Sequence, residues 1–116
     1  MKDLRDARTS DRRTPIYELS AREAPSGVEF GVVLDVTDSG TRVGTNEDFL
    51  PGTVHHLRIE LPLDLDPEGH VDLEARCAWV KPGEGLYEHW VGFEFTSVLE
   101  PPKARALAAL VRTRTL

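Results

Sequence analysis

The chain has a single cysteine, Cys77, so no disulfide can form within its 116 residues and the fold must rest on noncovalent packing. No apolar run approaches the length needed to cross a bilayer, so membrane insertion is not expected. The opening Met1-Lys2-Asp3-Leu4-Arg5 lacks the apolar segment of a secretory signal, and a cytoplasmic location is expected. A general basic excess is also missing, since the net charge is -6. Residues 1–13 carry a local excess of +2, which leaves -8 on the remainder. An acidic body of this kind argues against DNA or RNA backbones as partners, while its basic arm can still grip one small anion. Catalytic signatures are lacking too: there is no nucleophile motif, no phosphate-cradling glycine loop and no paired-histidine metalloprotease motif. His55, His56, His70, His89 and Cys77 follow no zinc spacing, so no metal site and no enzyme activity are expected. Internal repeats and low-complexity segments are absent.

What remains fits one globular domain, 40% hydrophobic and 29% charged, large enough to bury roughly two thirds of its unfolded surface. Residues 1–14 read as an exposed basic arm and residues 15–116 as the domain proper. Ile16, Tyr17 and Leu19 suggest a short first strand. Val28, Phe30, Val32, Leu34 and Val36 recur with period two, as in a strand with one buried face. Thr41 to Val43 form a short strand, and Val54 to Leu61 alternate again. Val71, Leu73, Ala75, Cys77 and Trp79 then alternate with polar residues, and Lys81-Pro82-Gly83-Glu84-Gly85 reverses the chain. Tyr87, His89, Val91, Phe93 and Phe95 return as the second arm of a hairpin. The period then changes. Pro101-Pro102 suits a helix start, and Ala104, Leu107, Ala108 and Val111 fall on one face of a helix over about 101–112, with Leu110 beside them. Five or six short strands imply a barrel or sandwich, with the helix across one end or face.

Two motifs stand out. Arg8-Thr9-Ser10-Asp11-Arg12 has R-x-x-x-R spacing, and Asp35-Val36-Thr37-Asp38-Ser39-Gly40 reads D-x-T-x-x-G, with 22 residues between Arg12 and Asp35. In this order, with the strand pattern that comes after them, the chain resembles the PilZ domain family of bacterial cyclic di-GMP receptors. The Pro51-Gly52-Thr53 loop and the strands Ala75–Val80 and Val91–Phe95 resemble that family as well. The resemblance implies an all-β fold, a six-stranded antiparallel β-barrel with one C-terminal α-helix. It implies cyclic di-GMP as ligand rather than a resident cofactor, with Arg8, Arg12, Asp35, Thr37 and Gly40 as the ligand-binding residues. It also implies a protein partner that receives the signal, in regulation of motility, biofilm or pilus function. The alternative within the family is an adaptor that has lost the nucleotide and works by protein contacts alone.

The chemistry of these residue types suits such a ligand. A guanidinium fork matches guanine O6 and N7, binds phosphate with charge assistance, and stacks on bases. A carboxylate such as Asp35 accepts from guanine N1 and N2, which an arginine cannot do. Thr37 stands where the family usually has serine and keeps the hydroxyl. Gly40 permits a tight turn close to the ligand. Trp79 shares parity with Leu73 and Cys77 and is expected in the core, with stacking on guanine as the alternative. Trp90 faces away from Phe93 and Phe95, which suits a partner surface or packing beneath the helix or the arm. Arg5, Arg13 and Arg42 are further basic candidates that the motifs do not assign.

Overall fold

A computed structural model of the chain describes residues 19–114, with side chains through Val111. The R-x-x-x-R motif, the basic arm and the expected strand residues Ile16 and Tyr17 lie outside the described residues. Six strands are present: β1 Leu19–Glu23, β2 Glu29–Val36, β3 Gly40–Thr45, β4 Val54–Glu60, β5 His70–Pro82 and β6 His89–Phe95. They form a closed antiparallel barrel in the order β1-β2-β3-β6-β5-β4. Closure comes from β1 on β4, where Ala21 stands opposite Ile59. The helix α1, Pro101–Arg114, follows β6. The barrel with one C-terminal helix is the fold the sequence implied.

Most of the alternation read from the sequence is realised. Val71, Leu73, Ala75 and Cys77 of β5 point inward and pack with Val43, Leu57, Ile59, Val91 and Phe93. Burial of such side chains contributes about 1.5–3 kcal/mol each for the larger ones. On the helix, Leu107 and Leu110 are buried and Ala108 and Val111 half-buried as expected, but Ala104 of the expected face is exposed and Ala106 is buried in its place. The helix is rotated so that its largest apolar residues, Leu107 and Leu110, meet the barrel.

Strict alternation fails in β2. Its buried residues are Phe30, Gly31, Val33 and Val36, while Val28 is 57% exposed and Val32 and Leu34 are only half-buried. The cause is two β-bulges, each of which places two residues opposite one and resets the parity of the strand beyond it. Against β1, Ala21 pairs with Gly31 but Arg22 pairs with Glu29, so Phe30 is surplus. Against β3, Val33 pairs with Val43 but Asp35 pairs with Arg42, so Leu34 is surplus. A third bulge lies in β5, where Cys77 pairs with Phe93 but Trp79 pairs with Gly92, so Ala78 is surplus. The β3–β6 ladder between these strands is regular from Gly40–Glu94 to Thr45–His89.

The helix is tied down near its start. Lys103 Nζ donates to the buried Asp66 Oδ2 at 2.9 Å, to the His70 carbonyl at 2.8 Å, and pairs with Glu68 at 2.5 Å. Asp66 Oδ2 also accepts the backbone N–H of Glu68 and of Gly69, at 3.0 and 3.2 Å. The Lys103 hydrogen bond is the main reason the Asp66 carboxyl sits below its ordinary value, with those backbone donors acting in the same direction against burial.

Candidate functional site

The bulges at Leu34 and Ala78 determine what faces outward over the regular β3–β6 pair. Under unbroken alternation from Val33, Asp35 would point into the core and Val36 away from it. With the surplus residue, Val36 is buried and Asp35 turns to the outer face beside Arg42. The same happens in β5. Val80, opposite Val91, continues the core, and Trp79 turns outward onto Gly92. The core position expected for Trp79 is therefore wrong, and the reason is the residue inserted at Ala78.

Both outward side chains line one groove of about 580 Å³. Its floor is β3 and β6, with Gly40, Arg42, Gly92 and Glu94. One wall is Asp35 with the β2–β3 turn residues Thr37 and Ser39, and the other is Arg76, Ala78 and Trp79 of β5. The volume falls in the range of roughly 300–1,000 Å³ typical of small-ligand clefts. Trp79 lies so close over Gly92 that any Cβ there would overlap the indole at Cε2 and Nε1. Lys81 Nζ stands 4.6 Å from the ring centroid, a cation–π contact.

The charged groups of the groove are paired. Arg42 donates from Nε and Nη2 to the same oxygen of Asp35, Oδ2, at 2.8 and 2.5 Å. Asp35 Oδ1 has no partner among the described residues. The Asp35 hydrogen bond raises the affinity of Arg42 for its proton, so that guanidinium is permanently charged. Arg76 Nη2 donates to Glu94 Oε1, with both side chains about half exposed.

The turn that forms one wall is built by Thr37. Its Oγ1 accepts the backbone N–H of Ser39 and of Gly40, both at 3.2 Å, and lies 3.3 Å from the Gly40 carbonyl. The hydroxyl thus closes the turn internally while the residue still lines the groove. Gly40 has no positive φ. It is required instead because a Cβ there would collide with the Phe93 carbonyl oxygen, so glycine permits β3 to lie close on β6. Asp35, Thr37 and Gly40 therefore come together on one groove, whereas Arg8 and Arg12 lie outside the described residues.

Among the groove residues that the two motifs do not assign are Arg42, Arg76, Glu94 and the outward Trp79. A signal existed for Trp79. After strict alternation through Cys77, the adjacent large apolar pair Trp79-Val80 cannot both face the core, and this marks a break in parity. The run Val32-Val33-Leu34 before Asp35 marks the other. Trp90 is half-buried on the outer face, opposite Gly44 of β3 and Lys81 of β5, and does not line the groove.

Compared with known proteins, the chain matches the family model described as PilZ domain over residues 6–113. That span contains both arginines of R-x-x-x-R and the whole D-x-T-x-x-G motif. None of the curated proteins matches it.

Proposed function

From its membership of the PilZ domain family, a family of cyclic di-GMP receptor domains, we propose that this chain binds cyclic di-GMP in the β3–β6 groove and passes the signal to a protein partner by contact. The observation that carries this reading is the pair of bulges that turn Asp35 and Trp79 onto the same groove, with Arg42 and Arg76 between them. A cyclic dinucleotide needs a flat face for a purine, an acceptor for guanine N1 and N2, and cations for its phosphates. Trp79 offers the face, held by Gly92. Asp35 offers Oδ1, held in place because Arg42 occupies Oδ2. Arg8 and Arg12 supply the charge and the guanidinium forks for O6, N7 and phosphate. Thr37 and Gly40 act mainly by shaping the wall and floor.

In this role the protein is a cytoplasmic receptor rather than a catalyst, and the nucleotide leaves unchanged. Its output is regulation of motility, biofilm or pilus assemblies. No helix among the described residues is long and apolar enough to cross a membrane. One observation favours the second reading, an adaptor without nucleotide. Both groove guanidiniums already have carboxylate partners, so the groove by itself carries no net attraction for a dianion.

Isothermal titration with cyclic di-GMP decides between them. The expected result is micromolar or tighter binding by the wild type, lost in Arg12→Ala and in Asp35→Ala, with unaltered nucleotide recovered afterwards. Absence of heat, and of amide shifts in NMR spectra at excess ligand, refutes the receptor reading and leaves the adaptor.

A further inference from the structure

Among the described residues, Glu94 is the one groove carboxylate outside the D-x-T-x-x-G motif, and its position gives it a distinct role. In the β6 register it stands opposite Gly40 of β3 on one side and Arg76 of β5 on the other. It thus lies between the motif turn and the nearest unassigned guanidinium, and its Oε1 accepts from Arg76 Nη2. We infer that Glu94 is a built-in competitor for the anionic part of the ligand, occupying Arg76 until a phosphate displaces it, so that it lowers and thereby sets the affinity of the groove. This inference rests on the nucleotide-binding reading above.

The argument is one of charge and exposure. Arg42 and Arg76 are cancelled by Asp35 and Glu94, so the charges that line the groove among the described residues sum to zero. A ligand bearing two phosphates gains from Arg76 only what remains after the bond to Glu94 is broken. Asp35 differs from Glu94 in this respect. Asp35 commits one oxygen to Arg42 and keeps the other for a donor, so it serves recognition while paired. Glu94 and Arg76 have side chains 54% and 50% exposed, and exposed pairs of this kind contribute little to folding. Competition for a ligand therefore explains the placement of Glu94 better than stability does.

The test is a double-mutant cycle read by titration with cyclic di-GMP at fixed salt. Glu94→Gln keeps the shape and removes the charge, and it is expected to bind about three- to tenfold tighter than wild type, with a steeper loss of affinity as salt is raised. Glu94→Ser should behave alike, and Glu94→Asp should remain near wild type. Arg76→Gln should weaken binding, and in that background Glu94→Gln should gain less than about twofold. Thermal midpoints of the variants should stay close to wild type, separating the effect from folding. Unchanged or weaker binding by Glu94→Gln overturns the inference, the weaker result assigning Glu94 to guanine N1 and N2 instead. A full gain that persists without Arg76 also overturns it. Silence from the wild type and every variant removes the receptor reading, and this inference with it.

Discussion

Replacing Gly92 by alanine tests whether Trp79 is a seated stacking platform. A Cβ at residue 92 would overlap Cε2 and Nε1 of the indole and stand 2.6 Å from Cζ2. Optimal carbon–carbon contact is about 3.5–4.0 Å, so the ring must retreat by about an ångström or more. The obstacle is a side chain rather than backbone, so the ring swings away and the barrel survives. Losing about half of an indole's burial costs about 2 kcal/mol at ~25 cal/mol per Å². Losing the Lys81 contact costs about 0.5–1 kcal/mol more. Alanine returns about 0.4–1 kcal/mol by restricting the unfolded chain, which leaves a net loss of about 2 kcal/mol. The larger consequence is for the ligand. Stacking on an aromatic side chain is worth about 1–3 kcal/mol per base, so cyclic di-GMP should bind roughly ten- to a hundredfold more weakly. The assay uses a Trp90→Phe background, in which Trp79 is the only tryptophan. Urea unfolding gives the stability, the emission maximum gives the exposure of the ring, and titration gives the affinity. A Gly92→Ala protein with unshifted emission and undiminished affinity would refute the reasoning, because it would mean the indole neither rests on Gly92 nor receives a base.

Contacts elsewhere give two further outcomes. Thr37→Val removes the acceptor for the N–H groups of Ser39 and Gly40 and should cost about 1 kcal/mol in urea unfolding, whereas Thr37→Ser should match wild type; a loss in Thr37→Ser with none in Thr37→Val would mean that the methyl, not the hydroxyl, holds the turn. Asp66 titrates below its ordinary 3.8, so its contribution to stability is complete above that value and is lost as pH falls through the lower folded value. Lys103→Met should return Asp66 toward 3.8 and flatten the acid limb of a plot of thermal midpoint against pH, and an unaltered limb would show that the pair does not fasten the helix.

The sequence discloses the parts of this fold that obey a simple period. Val71 to Cys77 alternate in the sequence and in the barrel, the β5–β6 hairpin is plain from its turn, and the double proline marks the start of the helix. The motif residues Asp35, Thr37 and Gly40 are legible because they occur in a recognisable order. What escapes is whatever depends on register between strands. Alternation within one strand carries no information on where its neighbour is one residue shorter, so Leu34 and Ala78 look like ordinary strand positions and parity puts Trp79 on the wrong side. Of the first strand expected at Ile16, Tyr17 and Leu19, only Leu19 lies within the described residues, and the described strand continues from it through Ser20, Arg22 and Glu23, which the pattern does not include. There the polar residues are held by partners that no local pattern reveals, as when Arg22 Nε donates to Glu60 Oε2 across the closing seam at 3.2 Å. The ion pairs Arg42–Asp35 and Arg76–Glu94 escape for the same reason, since each joins residues on different strands.

A strand with one residue more than its neighbour must bow, and here the two bowed strands, β2 and β5, stand on either side of a regular pair. Curvature of the receiving surface is therefore written into chain length rather than into any side chain. Excising Leu34, which does not line the groove, would leave Asp35 facing outward as before, yet it would straighten that rim and open the bowl. Two proteins with identical contact residues would then differ in how well they grasp a rigid, folded ligand, and a survey of point substitutions would never detect the difference.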